Sequence, residues 1–336
     1  MKLGIAGYYG KGNFGDELFL ETFKQVLYKD TVYPIVSHID FLSSDAVIIG
    51  GGDLIIPYSY NNTYFPKEIL HVPVWVYGVG VVDFYPPETW PEAEVEKYRE
   101  IISQANGLYV RDSNSAKLAN YMKLNSMIRE VPDIAFSYRQ PNYPIIKNPH
   151  KKTIGVCSFS YEDFPLDKMA RILSTLNSKD FTIVLIEVVD IRNKFTDRQT
   201  CLKLKEKILK YNPKFEIIIK NYQYLDVTYS HIQSLDYLVS FKLHPSLVGI
   251  RNNIPTLCLS KLSKVKSLLQ AFHLTDFYCD YEEEEEAIKN KLEQLLLMDD
   301  QRISKVAIKV KEKEKLSDES LINLRNDIEN FFNIIN

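Results

Sequence analysis

Asp236-Tyr237-Leu238-Val239-Ser240-Phe241-Lys242-Leu243-His244-Pro245-Ser246-Leu247-Val248-Gly249-Ile250 reads as a short buried strand running directly into a helix. The apolar run 237–239 suits the strand, and a proline in the first turn followed by apolar residues at helical spacing suits the helix. Lys242 and His244 then stand at the carboxyl end of a strand, which is where open α/β sheets place their ligands. An imidazole in that position either caps the helix and satisfies a core hydrogen bond or meets a ligand.

The same alternation recurs along the chain. Apolar runs bounded by turn residues fall at 3–6, 46–49, 74–77 and 108–110, then at 153–157, 181–186, 215–219, 237–239 and 256–259. Helical patterns separate them at 17–28, 92–104, 115–122, 168–176, 198–209 and 264–272, as parallel βαβ crossovers require. The segment 138–152 is polar and proline-rich and reads as a linker. This predicts residues 1–140 as one Rossmann-like domain, 152–300 as a second, and 301–336 as a helical extension. The acidic run 282–286 predicts the start of a helix, where negative charge favours the positive end of the helix dipole. In the extension, Val306, Ile308, Val310, Leu316, Leu321, Leu324, Ile328 and Phe331 repeat at helical spacing and predict a helix or helix pair packed on the body.

Composition narrows the classes. The chain has 336 residues, 45% of them hydrophobic, enough for a sizeable core, and 41 basic against 44 acidic side chains give a formal charge of −3. No long basic block is present, so nucleic acid is not the expected partner and any bound anion should be small. Cys157, Cys201, Cys258 and Cys279 lack metal-ligand spacing; Cys157, Cys258 and Cys279 sit in apolar surroundings that predict buried thiols. No apolar run of about 18 residues marks a membrane span, and the first residues lack a signal-peptide pattern. A cytoplasmic protein is expected.

Three glycine clusters follow strands. Residues 7–17, Gly-Tyr-Tyr-Gly-Lys-Gly-Asn-Phe-Gly-Asp-Glu, precede an amphipathic helix and could present N–H groups to an anion, although Asp16 and Glu17 would repel a phosphate. The spacing is neither a dinucleotide fingerprint nor a Walker loop. Gly50-Gly51-Gly52-Asp53 and Gly78-Val79-Gly80 end the next two strands, and Arg111-Asp112 ends the fourth. In a parallel sheet these ends share a rim, so Gly12, Asn13, Asp16, Gly51, Gly52, Asp53 and Arg111 are predicted to line one wall of a cleft. Arg111 either grips a carboxylate or phosphate there or pairs locally with Asp112 or Asp133.

These motifs, in this order, resemble the polysaccharide pyruvyl transferase family. The matching elements are the 7–17 loop, Gly50 to Gly52, Tyr77-Gly78-Val79-Gly80, Tyr109-Val110-Arg111-Asp112 with Ser115, Asp133 and Ala135, and Ser240-Phe241-Lys242-Leu243-His244 followed by Asn253-Ile254-Pro255 and Lys264. The resemblance implies two Rossmann-like domains facing across a cleft, as in GT-B glycosyltransferases, and transfer of pyruvate from phosphoenolpyruvate to a sugar diol as a cyclic ketal. It implies no cofactor or metal, the donor itself being a substrate. Two departures stand out. Lys242 replaces the family's usual arginine, keeping the charge but losing the planar fork, and Ile134 replaces a proline.

On this reading Lys242, with Ser240, Leu243 and the helix start after it, holds the donor in the second, donor-side domain. Arg111 grips one anionic group of that donor, and Lys264 adds to the binding set. His244 is the general acid, and Asp16 or Asp53 in the acceptor-side domain takes the hydroxyl proton. The acceptor is a glycan, lipid-linked or not; a lipid-linked one would bring the protein to the inner membrane peripherally. Two rival readings remain open from the residues alone: a GT-B glycosyltransferase using a nucleotide sugar, and a non-catalytic sugar- or nucleotide-binding module.

Overall fold

The first sheet grows from buried runs such as Ala46–Gly50 and Val74–Val79, in which every residue is buried, the pattern of parallel strands covered on both faces. The structure, a computed structural model, describes residues 1–160, 163–191 and 195–335. Two compact units are present. One comprises residues 1–10, 16–139 and 312–336, the other residues 11–15 and 140–311.

The strands of the first unit are β1 (Lys2–Ala6), β2 (Thr31–Pro34), β3 (Ala46–Gly50), β4 (Val74–Val79), β5 (Leu108–Val110) and β6 (Ile128–Glu130). They form one parallel sheet in the order β2-β1-β3-β4-β5-β6. The strand order reverses between β1 and β3, so the crevice at their carboxyl ends is the topological switch point. Helices α1 (Phe14–Val26), α2 (His38–Leu42), α3 (Glu92–Ile102) and α4 (Ser113–Tyr121) connect the strands. Val47, Ile49, Val76, Leu108 and Val110 pack with Tyr98, Ile101 and Ile102 of α3 in a continuous core.

The second unit contains β7 (Lys152–Cys157), β8 (Phe181–Ile186), a small hairpin of β9 (Asp190–Ile191) and β10 (Phe195–Thr196), then β11 (Ile217–Lys220), β12 (Tyr237–Ser240), β13 (Thr256–Leu259) and β14 (Tyr278–Cys279). Its parallel sheet runs β11-β8-β7-β12-β13-β14. Numbered in chain order within the sheet this is 3-2-1-4-5-6, the Rossmann order, with its switch point between β7 and β12. The connecting helices are α5 (Leu166–Ser174), α6 (Arg198–Tyr211), α7 (Leu225–Gln233), α8 (Leu243–Arg251), α9 (Ser263–Ala271) and α10 (Glu285–Leu296). The acidic run starts before α10, whose N-cap is Glu284.

The C-terminal extension is one helix, α11 (Asp300–Ile335), rather than a pair; Asn336 lies outside the described residues. Val306 and Val310 are buried in the part counted with the second unit, and Leu321, Leu324 and Ile328 in the part counted with the first. There Phe331 meets Trp75 edge-on and Ser320 accepts a 2.8 Å hydrogen bond from the Tyr77 hydroxyl. Ile308 and Leu316, expected on the same apolar stripe, are exposed, because a 36-residue helix cannot keep one stripe covered along its length.

Candidate active site

At the switch point of the second unit, Ser240 ends β12 and Lys242 is the N-cap of α8, with extended backbone. The fully buried Ser240 hydroxyl braces this turn, donating to the Lys242 carbonyl at 2.9 Å and accepting from the Lys242 N–H at 3.2 Å. Ser246 donates to the same carbonyl at 2.7 Å. Leu243 is buried in the first turn, and the half-buried His244 follows it. Pro245 has no N–H to donate, so Leu243 and His244 supply the amide groups at the very start of α8. Lys264 lies half-buried in the first turn of α9 in the same unit.

The Lys242 ammonium has a built counter-ion. It sits 3.0 and 2.8 Å from the two carboxylate oxygens of Asp197, which is fully buried. Asp197 also accepts the N–H groups of Val188 at 3.2 Å and Val189 at 3.0 Å. Burial pushes the Asp197 carboxyl above its ordinary value, and the pull of Lys242 and the two amides offsets this only in part. Just upstream, the buried Glu187 accepts from the Thr196 hydroxyl and from the Tyr222 N–H.

The glycine-rich loop after β1 is divided between the units. Residues 11–15 belong with the second, where Asn13 bridges Val189, the Phe14 N–H donates to Val188 at 3.0 Å and the Asp190 N–H donates to Gly12 at 2.9 Å. Gly12 has φ +78°, and a Cβ there would lie 2.4 Å from the Asp190 carbonyl oxygen, so only glycine fits. The Asn13 side chain accepts the Gly15 N–H at 3.1 Å. A Cβ on Gly15 would fall 2.0 Å from Nδ1 of His244, which puts the imidazole directly over the Gly15 backbone. Gly12 and Asn13 therefore group with the unit that carries His244, not with the sheet of the first unit.

In the first unit, Gly51 and Gly52, at φ +73° and +76°, turn the chain sharply after β3, with Asp16 in the first turn of α1 beside Gly52. The negative charge of Asp16 adds to burial in raising the buried Tyr9 and in pushing the Tyr64 hydroxyl up to about 12. Arg111, at the end of β5, is 8% exposed. It donates to Asp53 at 2.6 Å and lies 3.6 Å from Asp112, which itself caps α4 by accepting the Ser115 N–H at 2.8 Å. Burial alone would depress the guanidinium; Asp53, Asp133 and Asp112 together outweigh it and hold Arg111 above its ordinary value. Local pairing is thus the arrangement present, with Asp53 as the nearest partner.

Among the described residues no group of three or more His, Cys, Asp or Glu is set to hold a metal ion, and no helix is long and apolar enough to cross a membrane.

Two Rossmann-like units, each a six-stranded parallel sheet, put the protein in the GT-B-like class of α/β folds. Residues 13–261 match the pattern of the Polysaccharide pyruvyl transferase family, and the chain belongs to that enzyme family. It is also similar to HepE of Anabaena solved in complex with UDP and glucose, at 10% identity over 99% of each chain and a TM-score of 0.62. The UDP-GlcNAc 2-epimerase of Neisseria meningitidis bound to UDP-GlcNAc is 10% identical, with 96% of this chain and 98% of that one covered and a TM-score of 0.61. For MnaA of S. aureus with UDP the figures are 13%, 98%, 97% and 0.62. At such identities the likeness carries the fold alone. No curated protein matches the chain.

Proposed function

We propose that the protein is a transferase of polysaccharide-precursor assembly that binds a nucleoside-diphosphate sugar at the His244 end of its second unit. The observation that carries this reading is the position of Lys242 and His244 at the switch point of a 3-2-1-4-5-6 sheet. Solved proteins of the same fold were captured with UDP or a UDP-sugar, which supports the ligand class. The amides and dipole at the start of α8, with Lys242 close by, suit a diphosphate. In transfer, an acceptor hydroxyl attacks the anomeric carbon, the bond from that carbon to the diphosphate oxygen breaks, and the nucleoside diphosphate departs. Lys242 and the α8 amides stabilise the departing charge, and His244 can protonate or hydrogen-bond it. The hydroxyl proton passes to a general base or to solvent, and Asp16 and Asp53, beside the strand ends of the first unit, are the candidate acceptor-binding groups.

A second reading, pyruvyl transfer from phosphoenolpyruvate onto a sugar diol, is favoured by the family match over residues 13–261. There His244 protonates the methylene carbon of the enol phosphate, one sugar hydroxyl adds at the central carbon, and the second hydroxyl displaces phosphate to close the ketal, the two hydroxyl protons passing to a carboxylate and to the departing phosphate. One experiment separates the two: thermal melting with UDP-glucose, UDP-GlcNAc or phosphoenolpyruvate, followed by assay of released UDP or phosphate with a panel of lipid-linked glycans. Stabilisation by a UDP-sugar with UDP release is expected. Stabilisation by phosphoenolpyruvate alone, with phosphate release and a ketal on the glycan, overturns the first reading in favour of the second.

A further inference from the structure

We propose that Asp197 is the positioning residue of this site: its single buried carboxylate fixes both Lys242, which precedes His244 at the start of α8, and, through Val188 and Val189, the Gly12–Gly15 segment that meets the imidazole. The inference rests on reading the His244 end of the second unit as the ligand-binding site. Asp197 stands immediately before α6 and occupies its N-cap position, yet makes no side-chain cap bond there. The carboxylate turns inward instead. One oxygen receives Val188 N–H, Val189 N–H and the Lys242 ammonium, and the other receives Lys242 again. Val188 and Val189 are the residues that pair with Phe14 and Asn13, and the chain then brings Gly15 against the imidazole.

A carboxylate is the chemistry this junction needs. Three donors converge on this fully buried carboxylate, and one of them is charged, so an amide would serve the backbone N–H groups but leave the ammonium without its counter-charge. Lys242 is two residues from His244 and caps the helix that carries it. Holding its side chain and the facing segment from one point locks the imidazole more tightly than either bond would alone.

The test uses Asp197→Asn in the full chain and reads His244 directly. The protein has six histidines, and the imidazole signals of histidine-labelled protein, with His244 assigned by His244→Gln, report its position without any substrate. Gly15→Ala serves as the reference for a displaced imidazole. In Asp197→Asn the His244 signal is expected to move toward that reference while the other histidines hold theirs, and turnover with the active donor falls roughly 10–100-fold. If Asp197→Asn does not fold, Lys242→Met/Asp197→Asn keeps an acceptor for the two amides, leaves no buried charge unpaired, and carries the same readout. An unmoved His244 signal in the folded variant overturns the inference, whatever the donor proves to be. A moved signal in a protein that turns over neither donor leaves the positioning role standing and removes the proposed function.

Discussion

The imidazole of His244 rests on the backbone of Gly15, with Nδ1 only 2.0 Å from where a Cβ at that position would lie. Gly15 is inside α1 and has no positive φ, so alanine would suit its backbone and by itself would add about 0.4–1 kcal/mol through the unfolded chain. Any loss in Gly15→Ala therefore comes from the collision. The expected outcome is a melting temperature near or slightly below that of the parent with turnover reduced about a hundredfold, since a shift of roughly 1 Å suffices for that. Steady-state kinetics beside a thermal melt checks it; unchanged kcat would mean that the imidazole has no part in the chemistry.

Arg111 faces Asp53, Asp112 and Asp133 from a buried position, and removing it strands their charge. Arg111→Met should cost about 3 kcal/mol in urea unfolding, the low end for a broken buried pair because Asp53 retains some solvent contact. Adding Asp53→Asn should return part of that loss. A double-mutant cycle measures the coupling. If Arg111→Met unfolds at the same urea concentration as the parent, the guanidinium is not held by these carboxylates.

The four cysteines are free and buried, and burial pushes the Cys201 and Cys258 thiols up to about 12. Thiolate is the reactive form, so native protein at pH 8 should take up almost no iodoacetamide and all four sites should react in denaturant. Mass spectrometry after timed labelling gives the answer, and rapid modification of any one of them in the folded protein would contradict the burial.

Much of the architecture was legible because buried parallel strands carry continuous apolar runs: all nine runs read from the residues coincide with strands. The edges were not. β2 has no buried residue and β6 is half-exposed to exposed, so neither shows the apolar signal of a central strand. The placement of Lys242 and His244 at a strand end followed from local pattern alone. Asp197 did not, since an aspartate before a helix reads as an N-cap, and only the fold brings it to a lysine 45 residues away. Gly15 read as one of several turn glycines, and nothing local marks the imidazole over it. The grouping of residues 11–15 with the second unit likewise depends on the strand pairing of Asn13 with Val189, which no short-range pattern encodes.

Asp236 ties the starts of β7 and β12 together, accepting the Thr153 N–H at 2.8 Å and the Thr153 hydroxyl at 2.9 Å, with Lys152 at 3.5 Å and Lys147 at 3.7 Å. Burial alone would raise its carboxyl, but the Thr153 bonds and the two lysines outweigh that and hold it below its ordinary value. A depressed folded-state pKa means stabilisation that is complete above the unfolded value, about 3.9, and lost as pH falls through the lower folded value. Asp236→Asn should therefore lower the urea midpoint at pH 7 and lower it by less near pH 3, where the parent's carboxylate is being protonated. Midpoints for both proteins at the two pH values decide the matter. A gap that stays constant with pH would mean that the charge of Asp236 contributes nothing, and the junction between the two strands flanking the switch point would then rest on its bonds to Thr153 as a neutral partner and on the backbone ladder.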